Sequence, residues 1–268
     1  MNFPTSQTPP PPQQYSAPAP VTTEPTGPGL TEPQRLVNTF IAPSKTFEDI
    51  RRNASWWVPW LISAIFGLGF GIVAVQKIDM TRFVQQQIDK SPSAQQRMER
   101  ATPEQRAQGI ALQATITKVI FYIFPLFSLI GGLIIAAIVM GIFNFMLGAE
   151  VSFSRALAVT FYAGIPGVLK TILLAVSLFA SSDPSTIDIG GNPMPTNLGF
   201  FLDPQGNKFI YSILGSLDIF TIWFVVLLGM GFAIASSNRK PTISTGITTV
   251  FVAFLIVALC GAAWKSMF

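Results

Sequence analysis

Five apolar stretches, each long enough to cross a lipid bilayer as a helix, constrain this chain more than any other feature of its sequence. They lie near 57–76, 119–147, 157–180, 209–235 and 247–264. About 20 apolar residues in a helix cross the hydrocarbon core of a bilayer. The sequence therefore predicts an all-α, polytopic membrane protein with about five transmembrane helices.

The composition of the 268-residue chain supports a membrane-embedded fold. Only 11% of the residues are charged and 50% are hydrophobic, whereas about a quarter of the residues of a typical soluble domain are charged. Histidine is absent and cysteine occurs once, which excludes histidine catalysis, His/Cys metal centres and an internal disulfide. Because no phosphate-binding loop or nucleophile elbow is present either, we predict no cofactor and no enzymatic activity. The basic residues form no dense patch, so nucleic acid is not an expected partner.

The first 34 residues differ from the rest of the chain. They contain ten prolines, two acidic residues and no basic residue, and such a composition is too poor in apolar side chains to fold by itself. We expect a disordered, proline-rich tail over 1–34 and a membrane domain over 35–268. The tail lacks the basic start and apolar core of a signal peptide, so the first span would direct insertion.

Two short amphipathic segments precede the first span, one after Pro33 and one after Ser44. Each repeats apolar residues at helical spacing. These residues are Leu36, Val37, Phe40, Ile41, Phe47 and Ile50. Two interpretations are equally open: an amphipathic foot that lies on the bilayer, or helices that pack against the membrane bundle.

Residues 77–117, between the first and second spans, hold most of the polar side chains of the chain. Their apolar residues recur at helical spacing. Ser91-Pro92 and Thr102-Pro103 have the pattern of a capping residue followed by proline, which is typical of helix starts. We therefore expect a helical cap here rather than an irregular loop.

Two ionisable residues, Lys170 and Asp218, lie inside apolar spans. Both are nine residues from the loop that joins the third and fourth spans, so both should lie roughly 13–15 Å from that face. A lone charge at this depth costs at least a few kcal/mol, and we predict an intramembrane Lys170–Asp218 ion pair. The pair could mark a transport path or fix helix packing. Other polar candidates in the spans are Asn144, Tyr162, Thr171, Ser212 and Ser216.

Glycine and proline residues indicate where helices approach one another or bend. Small residues that allow close helix packing occur in the first, second and fourth spans. They are Gly67, Gly71, Gly131, Gly132, Gly229 and Gly231. Their surfaces would serve packing within the chain or between two copies of an oligomer. Pro166 should bend or interrupt the third span, and Pro125 permits a kink in the second.

The distribution of basic residues favours one orientation when the predicted cap is counted and the other when it is not. With the N-terminus in the cytoplasm, seven basic residues lie inside and nine outside, six of the nine in the predicted cap. Without the cap and Lys118, the counts become seven against two. The positive-inside rule then favours a cytoplasmic N-terminus.

Two short motifs stand out, one before the first span and one in the fourth. The first is Phe40-Ile41-Ala42-Pro43 followed by Phe47, and the second is Asp218-Ile219-Phe220 with Trp223. Together they resemble the Yip family, the Ypt/Rab-interacting membrane proteins. Over roughly 35–264, the order of the apolar segments is also similar to that of the family. The resemblance implies five spans, a cytosolic N-terminus, and a non-enzymatic role in membrane traffic or organisation through membrane proteins or small GTPases.

Two functions from different classes remain as hypotheses. The first is a non-enzymatic adaptor or organiser in the membrane, with the lipid bilayer as its constant partner. The alternative is a small permease, or an ion- or proton-coupled transporter, that uses Lys170 and Asp218 beside the third span broken at Pro166. A dry, directly bonded pair favours the first hypothesis, and a hydrated vestibule that reaches the pair favours the second.

Overall fold

The computed structural model describes residues 28–184, 187–204 and 206–267, so most of the predicted tail lies outside the described residues. Within these ranges the chain is helical and has no strand. The helices, in chain order, are α1 (Glu32–Ile41), α2 (Pro43–Ile50), α3 (Trp57–Lys77), α4 (Met80–Asp89), α5 (Pro92–Glu99), α6 (Pro103–Leu147), α7 (Phe153–Gly164), α8 (Pro166–Ala180), α9 (Lys208–Ser216), α10 (Ile219–Ala235) and α11 (Ile243–Met267).

Four stretches of the described chain are long and apolar enough to cross a membrane. They are α3, α6, α11 and the stretch formed by α7 and α8. The pair α9 and α10 supplies a fifth if it is counted as one span, and its two helices meet at an angle of 55°. The predicted all-α membrane fold with about five spans is confirmed.

The helical cap is confirmed, and it ends in a longer helix than expected. Ser91 and Thr102 accept hydrogen bonds from the first turns of α5 and α6, as their sequence patterns predicted. Helix α6 has 45 residues, so its first part belongs to the cap and its second part is a span. The cap packs on the bundle through a buried cluster that includes Met80, Val84 and Leu178.

Helix α6 continues through Pro125, where the sequence permitted a kink. The proline ring has no N–H for the carbonyl of Phe121, four residues earlier. Gly71 of α3 lies against that carbonyl so closely that a Cβ would be 2.6 Å from its oxygen. A side chain at position 71 would therefore collide with the oxygen that proline leaves without its helical partner.

The main hydrophobic core lies at the end of the bundle opposite the cap. It joins α2, α6, α7 and α10 through fully buried side chains, among them Phe47, Phe143, Tyr162 and Phe232. The rings of Phe143 and Phe232 pack with their centroids 5.1 Å apart. The two helices before the first span are therefore part of the core.

Candidate functional site

Helices α1 and α2 form an antiparallel hairpin that is joined by the single residue Ala42. Thr31 and Gln34 form a capping box at the start of α1. Pro43 is the first residue of α2, a position at which a helix does not need a backbone N–H. The backbone N–H of Leu30 donates to Asp49 Oδ1 (3.2 Å), which pairs the beginning of one helix with the end of the other.

A buried polar cluster, formed by Glu32, Arg35, Asp49 and Tyr162, holds this hairpin. Arg35 Nε lies 2.7 Å from Asp49 Oδ2, and Arg35 Nη1 lies 3.4 Å from Glu32 Oε1. Arg35 and Asp49 are only 2% and 6% exposed, so each charge depends on the other. The hydroxyl of Tyr162 on α7 donates to Glu32 Oε2. The cluster thus ties the hairpin to a membrane-spanning helix.

The charge on Arg35 is maintained by its partners. Burial by itself lowers the pKa of the guanidinium. The hydrogen bond to Asp49 and the charge of Asp49 raise the pKa and contribute to a net increase above its ordinary value. Two hydroxyl groups, of Thr39 and Thr46, also donate to the Arg35 carbonyl oxygen at 2.8 and 2.9 Å. Hydrogen bonds therefore hold both the backbone and the side chain of Arg35 in place.

The charged members of this cluster are not among the candidates predicted from the sequence, although the sequence contains a signal for them. Arg35 and Thr39 are four residues apart in α1, and Thr46 and Asp49 are three residues apart in α2. Two short amphipathic helices with matching polar stripes can pair through those stripes. Tyr162 was recognised as a polar candidate in the third span, but its partner was not.

The two family-like motifs contact each other in the fold. The ring of Phe40, at the tip of the hairpin, meets the ring of Trp223 edge-on with their centroids 5.7 Å apart. Phe47 is fully buried and lies against Gly231, where a Cβ would be 2.9 Å from its ring. Pro43 lies between these two contacts and begins α2.

The hairpin extends along the bundle, which agrees with the second of the two interpretations, helices that pack against the membrane bundle. The carbonyl of Arg51, just after α2, accepts a hydrogen bond from Arg155 near the start of α7. At the other end of the hairpin, Phe40 meets Trp223, which lies 12 residues before the end of α10. That separation corresponds to about 18 Å along a helix. Buried side chains at both ends of α2 favour this packed arrangement.

The outer side of α1 remains apolar and uncovered. Val37 is 56% exposed and Ile41 is 75% exposed. Leu36, by contrast, packs against the main core. The first segment is therefore packed on one side only.

The structure brings Lys170 and Asp218 together, with Lys170 Nζ 3.2 Å from Asp218 Oδ2. The hydroxyl of Thr196 also donates to Oδ2, and Oδ1 accepts a hydrogen bond from the N–H of Phe220 at 3.0 Å. The Asp218 side chain is 4% exposed and the Lys170 side chain is 35% exposed. One partner is enclosed by protein, and the other reaches its surface.

Asp218 lies at a break in the fourth span, where the sequence predicted a continuous helix. Its side chain caps α10, and the preceding helix α9 ends at Ser216. An aspartate that bonds to the N–H groups after it stabilises a helix start, so it competes with continuation of the helix through it. The third span is interrupted at Ile165, directly before Pro166, as its sequence predicted.

The remaining polar candidates serve turns and helices. Asn144 donates to the Val151 carbonyl (2.9 Å) and accepts from the Val151 N–H (2.7 Å), which closes the turn between α6 and α7. Thr171 and Ser216 donate to carbonyl oxygens of their own helices. Each of these three side chains therefore bonds to backbone groups of the fold.

Most of the predicted packing glycines lie at close helix approaches. An added Cβ would come within 3.0 Å of a neighbouring helix at five of them, namely Gly67, Gly71, Gly132, Gly229 and Gly231. The prediction is corrected for Gly131, where a Cβ would meet nothing within 4 Å. Consecutive helix positions point in directions about 100° apart, so only one of the two adjacent glycines faces α7.

Comparison with known proteins agrees with the two motifs. The Yip1 domain matches residues 37–262 of this chain. The membrane protein YknW of Bacillus subtilis (strain 168) is 25% identical over 240 residues, which cover 87% of this chain and 95% of that protein. No solved structure matches. The matched region contains both motifs, four of the spans and most of the fifth, and the chain belongs to the Yip1 domain family of membrane proteins.

Proposed function

We propose that this protein is a non-enzymatic organiser or adaptor of the membrane, which acts by binding lipid and membrane partners and not by converting a substrate. The observation that carries the proposal is the α1–α2 hairpin. Its inner side is tied to α7 by the hydrogen bond from Tyr162 to Glu32 and packs on α10 through Phe40 and Phe47. Its outer side leaves Val37 and Ile41 uncovered.

A buried ion pair adds little stability compared with a well-packed apolar pair, but it can fix one arrangement among several. A hairpin fixed in this way presents its apolar side in a constant position. We propose that this side contacts the lipid of one leaflet and the spans of partner proteins there. Small GTPases are partners by family resemblance alone.

We place the hairpin end of the bundle in the cytoplasm. When the cap and Lys118 are left out, basic residues are concentrated around the loops at this end, which agrees with the positive-inside rule. They are Lys45, Arg51, Arg52, Arg155, Arg239 and Lys240. A cysteine introduced beside Arg239, in a Cys260→Ser background, should react with an impermeant reagent only from the cytoplasmic side.

Site-specific photocrosslinking in native membranes tests the proposal. A crosslinker at Val37 or Ile41 should yield a discrete protein adduct, and one at Val257, a 71% exposed residue of α11, should yield lipid adducts alone. The adduct should disappear when Asp49→Asn releases the hairpin. Lipid adducts alone at all three positions would contradict an adaptor function.

The permease remains the second candidate, because Lys170 is partly exposed and a polar pocket ends at Gly215 and Ser216, close to Asp218. Against it, both oxygens of Asp218 have protein partners, and neither Lys170 nor Asp218 lines that pocket. Proton or cation flux into proteoliposomes distinguishes the two. Flux that Asp218→Asn abolishes, without a change in melting temperature, would replace the organiser proposal with the permease.

A further inference from the structure

A pocket in the described part of the chain lies at the cap end, far from the hairpin. It has a volume of about 730 Å³, which is within the range of small-molecule sites. Its walls come from the end of α4, the loop at 188–192, α9 and the end of α11. We call it the cap pocket.

The charged side chains of the cap pocket do not balance. Three lysines and one aspartate line it, namely Lys90, Lys208, Lys265 and Asp188. Lys90 Nζ lies 2.8 Å from Asp188 Oδ1, so these two charges offset each other. Among the described residues, no carboxylate lies within 4.0 Å of the ammonium group of Lys208 or Lys265. Two positive charges therefore remain for a ligand.

Neutral polar groups around these two lysines are suited to an oxyanion. Hydroxyl groups of Ser212 and Tyr211 line the same wall as Lys208. The side chain of Asn192 also lines the pocket and lies against α9, where a Cβ on Gly215 would contact it at 3.0 Å. Ammonium, hydroxyl and amide donors together can satisfy the several acceptor oxygens of one phosphate group.

One wall of the pocket belongs to a membrane span. Ala258 and Gly261 of α11 line it, and Trp264, 66% exposed, stands at its rim. Tryptophan prefers the level of the lipid headgroups. The pocket thus opens to water at its lysines and to the apolar layer along α11, which fits a ligand with an anionic head and an apolar tail.

We propose that the cap pocket binds a phosphate ester through Lys208 and Lys265. An anionic phospholipid headgroup and a free phosphorylated solute share this chemistry, and the apolar wall favours the phospholipid. The site is separate from the Lys170–Asp218 pair and from the hairpin, so the proposal does not depend on the proposed function.

Binding to the purified full-length protein tests this site. Short-chain dihexanoyl phosphatidylglycerol should bind saturably, and sn-glycerol 3-phosphate distinguishes a solute site from a lipid site. Binding of either probe supports the proposal, and the stronger probe identifies the source. Dihexanoyl phosphatidylcholine, whose headgroup has no net charge, should bind at least about tenfold more weakly. Absence of saturable binding by both anionic probes would overturn the proposal.

Variants locate the binding. Lys208→Gln and Lys265→Gln should each weaken binding by about tenfold, since each removes a charge-assisted contact. Lys208→Arg should retain most of the affinity. The matched control is Lys240→Gln, at the other end of the bundle, and it should change nothing. Equal losses in all three glutamine variants, with unchanged melting temperatures, would show non-specific attraction and overturn the proposal.

Discussion

Two ion pairs in the described part of the chain differ in how completely protein encloses them. Arg35 and Asp49 have side chains that are 3% and 6% exposed, and further polar groups surround them. In the other pair, Asp218 is enclosed to a similar extent, but the side chain of Lys170 is 35% exposed. The first pair fixes a hairpin against the bundle. The second fixes the start of α10 at a break in a span, and its lysine can still move to a more polar environment.

The largest effect is expected at the enclosed pair. Asp49→Asn should destabilise the fold by about 3–5 kcal/mol, because it leaves the buried Arg35 charge with only the more distant and partly exposed carboxylate of Glu32. The double variant Arg35→Met, Asp49→Leu should recover most of that loss. Melting temperatures of the purified proteins in one detergent measure both. A double variant as unstable as Asp49→Asn would show that this pair is not coupled.

A smaller effect is expected at the half-exposed pair. Lys170→Met should cost about 2 kcal/mol, since Asp218 keeps its bonds to Thr196 and Phe220 and water partly screens the lysine. Lys170→Met combined with Asp218→Asn should be more stable than Lys170→Met alone, because asparagine retains the helix cap without a charge. If the single variant matches the double variant in stability and abundance, the ion-pair interpretation fails.

Glycine substitutions test how tightly the hairpin is packed. Gly231→Ala should cost about 1–3 kcal/mol, because its Cβ would lie 2.5 Å from Val159 and 2.9 Å from the Phe47 ring. Gly131→Ala is the matched control, and in open space it should be neutral or stabilising by up to about 1 kcal/mol. Similar effects in both variants would mean that α2 is loosely held.

The smallest effect is expected at the tip of the hairpin. Phe40→Leu keeps an apolar side chain but loses the edge-on contact with Trp223. A pair of this kind contributes about 0.5–1.5 kcal/mol beyond its buried area. In a variant whose other four tryptophans are replaced by phenylalanine, the emission spectrum of Trp223 should change and the melting temperature should fall slightly. An unchanged spectrum and melting temperature would contradict the contact between the two motifs.

The parts of the fold that the sequence predicts are those governed by long-range periodicity and local caps. Five apolar stretches, the caps at Ser91 and Thr102, and the break before Pro166 follow from such patterns. The length of α6 was not predicted, because its polar first part and its apolar second part look like two elements. No proline interrupts the chain between Pro103 and Pro125, so the two parts form one helix. A glutamine-rich surface helix therefore continues directly into an apolar span.

The candidate sites depended more on tertiary contacts. The common depth of Lys170 and Asp218 follows from helical rise, but the break at Asp218 does not, since a capping aspartate and an intrahelical one look alike within an apolar run. The cluster around Arg35 was harder still. Charged residues before a first span are usually solvated, and only the packing of α1 and α2 against α7 encloses them.

Amide hydrogen exchange of the full-length protein in lipid nanodiscs tests the central claim, that the hairpin is an integral part of the bundle. Residues 32–50 should exchange as slowly as α7 in the unmodified protein. They should exchange much faster in Asp49→Asn, while α8 and α11 keep their protection. Rapid exchange of residues 32–50 in the unmodified protein would contradict the account.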